Sequence, residues 1–157
     1  MASKRLSIYL QDHFAASVAA GELARRSAAS NRGTPLGPEL ERLGQEIDQD
    51  RQVLGDLMRE LGISADRAKT AGAWTAEKLG RLKLNGSWLA YSPLSRLEEL
   101  EILILGIEGK LLLWEALAHD LELAGDIGPD FSELIRRARA QRRRLNGHRL
   151  QAVKDAL

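Results

Sequence analysis

Residues 93–123, PLSRLEELEILILGIEGKLLLWEALAHDLEL, form the longest and most apolar helical stretch of the chain. A helix this apolar does not stand alone in water, so the rest of the chain has to supply helices that cover it. At roughly 100° per residue, Leu97, Leu100, Ile104, Ile107, Leu111, Trp114 and Ala118 share one face. Glu101, Glu108 and Glu115 fall at seven-residue spacing inside that same face. Leu105 and Leu112 lie on the far side of Glu108. A carboxylate in such a setting needs a partner, because an isolated buried charge costs several kcal/mol or more.

Three further helices are legible. Residues 4–29 align Leu6, Tyr9, Leu10, Ala16, Ser17, Ala20, Leu23 and Ala24, with His13 in the middle of that face. SNRGTPLGP interrupts the pattern, and Thr34-Pro35 or Gly37-Pro38 supplies the next helix start. The second helix, residues 38–61, carries Leu40, Leu43, Ile47, Leu54, Leu57 and Leu61 on one face, with Asp50 at its centre and Glu46 at its edge. Gly62 ends it. Ser92-Pro93 opens the central helix, and Asp130 to Glu133 reads as a capping box opening a last helix to about residue 155. Residues 63–92 cross between the second and third helices, with a short helix after Ser64 and a hairpin turn at Asn85-Gly86 within residues 82–91. Trp74 and Trp88 give that segment apolar surface to pack on the bundle. No linker or repeat divides the chain, so a single domain is expected over residues 1–157.

Four long amphipathic helices, paired by short turns and joined by one long connection, predict an all-α four-helix bundle made of two antiparallel hairpins. This layout resembles the ferritin-like superfamily, whose two hairpins are also linked by a long crossover. The family's di-iron members carry Glu-x-x-His on two helices and a lone Glu on each of the others. No Glu-x-x-His occurs in this chain. The nearest equivalents are Glu46 with Gln49 and Asp50, and Glu115 with His119 one residue too far apart. The resemblance therefore implies a ferritin-like fold of bacterial type without the family's metal motif.

Folding the hairpins about their turns brings residue 13 opposite residue 50 and residue 108 opposite residue 144, in one polar layer. Two chemistries fit it. His13, Glu46, Asp50 and Glu108, with Glu101 beside them, offer nitrogen and oxygen ligands suited to Fe, Mn or Zn. Alternatively, Glu108 pairs with Arg142, Glu101 pairs with Arg149, and His13 hydrogen-bonds Asp50. The ion-pair reading leads, because arginine's rigid fork suits buried carboxylates and a cation at the site repels a metal ion; no bound cofactor is the leading expectation. His119 and His148 are read as helix-end and boundary residues.

The last helix holds eight basic residues against three acidic ones. Arg136, Arg137, Arg139, Arg143 and Arg144 are its candidate anion-binding set. They lack interleaved aromatics for stacking on single strands, so a face partnering acidic helices is favoured over nucleic acid. The whole chain has net charge +1, from 23 basic and 22 acidic residues, and gives no global pull toward nucleic acid or membrane. Cysteine is absent, which excludes thiolate catalysis and sulfur-ligated metals. No phosphate-binding loop, nucleophile elbow or His-Glu-x-x-His occurs. A non-catalytic, cytoplasmic binding or structural module is expected, with no membrane span. The apolar residues behind the third helix, Ile102, Leu103, Leu113 and Leu117, predict a homodimer or cover by the crossover.

Overall fold

The helices begin and end where local chemistry dictates. The computed structural model describes residues 2–65, 91–120, 125 and 128–157, and among these are four α-helices and no strand. They are α1 (Lys4–Ser30), α2 (Leu36–Glu60), α3 (Pro93–His119) and α4 (Phe131–Ala156). The short helix expected after Ser64, the hairpin turn expected at Asn85-Gly86, both crossover tryptophans and the end of the central stretch, residues 121–123, lie outside the described residues.

Ser3 caps α1 by accepting from the Leu6 N–H at 3.1 Å, Ser92 caps α3 through the Ser95 N–H at 3.1 Å, and Asp130 caps α4 through the Glu133 N–H at 3.0 Å. Pro93 occupies the first turn of α3, where its missing N–H costs nothing. α2 starts at Leu36 behind Pro35 and has no side-chain cap. Its other end is a Schellman turn: Gly62 adopts φ 69°, its N–H reaches the Arg59 carbonyl, and the Ile63 N–H reaches the Met58 carbonyl at 2.8 Å.

Helix directions follow from the contacts. Arg25 meets Asp48, and Phe14 lies against Gly55, so α1 and α2 are antiparallel. Ser27 donates to Glu99 while Ala20 lies beside Gly106, which makes α1 and α3 antiparallel. Arg149, Arg142 and Arg139 of α4 meet Glu101, Glu108 and Glu115 of α3, and Arg144 and Arg137 meet Glu46 and Asp50 of α2. Every neighbouring pair is thus antiparallel, and the diagonals α1/α4 and α2/α3 are parallel. In chain order the helices run up, down, down, up. The contacts within each hairpin are the most extensive, those of α1 with α3 fewer, and those of α2 with α4 the sparsest.

The apolar interior comes in two parts. One surrounds Leu40, Leu43, Ile47, Leu100, Leu103, Ile107 and Leu145. The other surrounds Leu10, Phe14, Leu54, Leu57, Met58, Trp114 and Phe131. On α2 the change from one to the other falls at Asp50, between Ile47 and Leu54. On α3 it falls between Leu111 and Leu113, just beyond Lys110.

The buried face of α3 differs from the one expected. Leu103, Leu113 and Leu117, expected to point away, are buried, whereas Ile104 and Ala118 are only partly so. The helix has turned toward α1, carrying Glu101, Glu108 and Glu115 to its edge. Apolar residues surround this helix almost completely, so their pattern fixes no single inward direction.

Candidate functional site

The polar layer at the middle of the bundle is built from residues that three helices deliver to one level. Asp50 projects from α2 and is buried. Lys110 projects from α3 across the diagonal, and its Nζ donates to Asp50 Oδ2 at 2.5 Å and to Gln141 Oε1 at 2.5 Å. Gln141, from α4 and also buried, returns a longer bond from Nε2 to Asp50 Oδ2 at 3.4 Å. A closed triangle of carboxylate, ammonium and carboxamide results. Arg137 closes its outer side, with a guanidinium nitrogen 2.9 Å from Asp50 Oδ1. The approach is off the hydrogen-bonding direction, so Oδ1 is neutralised in charge but has no hydrogen bond. Arg137 instead donates to Gln49 Oε1 at 3.3 Å.

Burial lowers the pKa of Lys110 from 10.5. The attraction and hydrogen bond of Asp50 work against that shift without cancelling it, and Arg137 reinforces it. A lysine so placed is in principle an amine nucleophile, and its side chain keeps 16% exposure. A 720 Å³ surface groove runs from Phe14 and Asp48 to Ile63, and a 290 Å³ one lies around Pro129 and Phe131. Neither has Lys110, Asp50 or Gln141 in its wall.

The residues singled out from the sequence scatter around this centre. His13 is half-buried on α1, stacked edge-on against Tyr9 with ring centroids 4.7 Å apart. Burial lowers its pKa, opposed by Asp12. Its expected hydrogen bond to Asp50 is absent: the neighbouring Phe14 lies against Gly55, which puts His13 more than a turn away from the level of Asp50. Glu46 is held by Arg42 at 3.1 Å and Arg144 at 2.6 Å. Glu108 pairs with Arg142 at 2.6 Å, and Glu101 with Arg149 at 3.5 Å, but these pairs lie at the exposed seam between α3 and α4 and not in the interior. Glu115 adds a third rung with Arg139 at 2.8 Å. His13, Glu46, Asp50 and Glu108 are therefore not brought together, and no group of three or more His, Asp or Glu side chains among the described residues is arranged to hold a metal ion.

Of the five arginines set apart as an anion-binding group, Arg136 pairs with Glu133, Arg137 with Asp50, Arg139 with Glu115, and Arg144 with Glu39 and Glu46. Arg143 alone has no carboxylate partner among the described residues. Arg137, Arg139 and Arg144 thus face the acidic residues of α2 and α3.

A second polar cluster ties the top of the bundle. Asn31, fully buried at the end of α1, donates to the Ser27 carbonyl at 2.8 Å and to the Tyr91 hydroxyl at 2.8 Å, and accepts from Arg96 Nε at 2.8 Å. Tyr91 donates in turn to Glu99 Oε2 at 3.0 Å, which also accepts from Ser27. Burial pushes the Tyr91 hydroxyl up to about 12, and Glu99 adds to the shift while Asn31 and Arg96 oppose it. Each buried group here has a partner, as a clamp between the α1 end and the α3 start requires.

Comparison of the chain with protein-family models, with curated proteins and with solved structures finds no match. The site is therefore read from its own geometry. Sequence reasoning found Asp50 but missed Lys110 and Gln141, its two hydrogen-bond donors. The signal was present for one of them: Lys110 lies three residues after Ile107 and four before Trp114, on the stripe that is buried.

Proposed function

We propose that this chain is a non-catalytic helical-bundle module of ferritin-like layout, acting in binding or scaffolding. The observation that carries the reading is the pairing of Asp50 with cations. Its carboxylate faces Lys110, Gln141 and Arg137, and two of these are cations. A divalent metal there would meet two positive charges in place of ligands, and repulsion at such spacing outweighs what one carboxylate returns. The up-down-down-up order of the helices supports the ferritin-like layout, since this order requires one connection that runs the length of the bundle. Lys110 donates to both Asp50 and Gln141 and lines neither surface groove, which supports a reading without amine chemistry.

Metal content measured by plasma mass spectrometry tests this reading on protein incubated with Fe(II), Mn(II) or Zn(II) and then desalted. Only trace metal is expected, unchanged by Asp50→Asn. Close to one metal ion per chain, lost in Asp50→Asn, would replace the module reading with a metal centre.

A further inference from the structure

The two sides of the bundle that join one hairpin to the other are built differently. Between α1 and α3 the helices meet through small residues, and a Cβ on Gly106 would lie 3.9 Å from that of Ala20. One end of that side is also tied by Asn31, Tyr91, Glu99 and Arg96. The α2–α4 side has the sparsest contacts of the four, and long side chains span it. Arg144 reaches from α4 to two carboxylates that stand seven residues apart on α2, Glu39 at 2.8 Å and Glu46 at 2.6 Å. Seven residues earlier on α4, Arg137 repeats the step to Asp50 and Gln49. Of the four charged groups that flank Asp50 in this ladder, each keeps part of its surface in water.

We propose that the two hairpins hinge on the α1–α3 side, so that the bundle has a second, open state in which α2 and α4 part at mid-height and water enters the layer of Asp50, Lys110 and Gln141. The module reading fixes what the closed bundle does not do; the hinge adds a way for it to change shape.

The chemistry of the layer favours this side over the others. Where leucine and isoleucine meet, separation wets apolar surface and is opposed by the hydrophobic effect. At the level of Asp50 the groups uncovered are a carboxylate, an ammonium and a carboxamide, whose removal from water already opposes folding. Burial is the largest influence on Lys110 and disfavours its charged form, which is that same opposition seen from one group. Asp50 Oδ1, which has no hydrogen bond in the closed bundle, gains one from water on opening. The ladder outside the layer is held by part-exposed ion pairs, which water and salt replace readily. Leu43, Ile47 and Leu145 on the same two helices limit the excursion, because a wider separation wets them as well.

Distances between paired nitroxide labels, measured by double electron–electron resonance on the full chain, test the hinge. With no native cysteine, Gln45→Cys with Arg143→Cys labels exposed positions of α2 and α4 outside the ladder, and Ala16→Cys with Leu112→Cys labels exposed positions of α1 and α3. Raising NaCl from about 0.1 M to about 1 M shortens the screening length from about 10 Å to about 3 Å. The α2–α4 pair is then expected to gain a population longer by about 5 Å, roughly half an interhelical spacing, while the α1–α3 pair keeps its distribution. Glu39→Gln with Glu46→Gln, which removes both carboxylates from Arg144, is expected to produce the same population already at about 0.1 M. An α2–α4 distribution that stays fixed at high salt would overturn the proposal, whether or not the double Gln variant folds. So would equal broadening of the two pairs, which means that the whole bundle loosens without a hinge. Neither result touches the metal measurement on which the module reading stands.

Discussion

Replacing Lys110 by methionine deletes one buried ammonium and keeps most of its apolar stem. What remains is Asp50, still buried, with Gln141 at 3.4 Å and Arg137 neutralising one oxygen without a hydrogen bond. Removing one partner of a buried ion pair costs about 3–5 kcal/mol. Arg137 stays beside the carboxylate, so the lower end, about 3 kcal/mol, is expected for Lys110→Met. For a chain of this length that is a fall of roughly 6–12 °C in melting temperature, read by circular dichroism and checked by urea titration at pH 7. The low pKa of Lys110 sharpens the expectation. The unfolded chain holds that proton more tightly than the fold does, so protonating Lys110 destabilises the bundle, and wild-type stability rises with pH as the window up to 10.5 is crossed. The cluster is thus costly as a whole, and the loss in Lys110→Met comes from a stranded carboxylate. The triple variant Asp50→Leu, Lys110→Met, Gln141→Leu, which leaves only the part-exposed Arg137 without its carboxylate and still bonded to Gln49, is expected to return to within about 1 kcal/mol of wild type or to exceed it. A Lys110→Met protein within about 1 kcal/mol of wild type, or a triple variant no better than the single one, would refute the account.

Two smaller perturbations test the periphery. Tyr91 holds its proton up to about 12 when folded and to 10.0 when unfolded, so stability is full below pH 10 and falls as pH rises toward 12; Tyr91→Phe should flatten that alkaline fall in chemical denaturation curves. Glu108→Ala should cost less than about 1 kcal/mol, the range of exposed ion pairs, and a loss of 3 kcal/mol or more in thermal melts would return Glu108 to the interior.

The helices were legible because their signals are local. Ser92, Asp130 and Gly62 each act within one turn of themselves, and the 3.6-residue pattern of α2 has a strongly polar back to contrast with. α3 lacks that contrast. Leucine and isoleucine on nearly every side leave its rotation to be settled by what packs against it, and a modest turn toward α1 moves Glu108 from interior to edge and Lys110 from edge to interior. The partner of Asp50 was therefore read as histidine or metal when it is a lysine 60 residues away and a glutamine 91 residues away. The Asn31–Tyr91–Glu99 clamp was missed for a related reason: it joins residues 60 and 8 positions apart across a helix junction, and no periodic pattern marks it.

The helix directions also have a kinetic consequence. Each hairpin closes on contacts between residues a few tens of positions apart, whereas Asp50 with Gln141, Glu46 with Arg144 and Glu39 with Arg144 span 91, 98 and 105 positions. Chain entropy therefore favours two hairpins that form early and independently and then search for each other. The α2–α4 side is the thinnest of the four contacts, so it closes last and opens first. In hydrogen exchange the amides of α1–α2 and α3–α4 should behave as two cooperative units, held together by the α1–α3 packing and the Asn31–Tyr91–Glu99 clamp as well as by the layer of Asp50, Lys110 and Gln141.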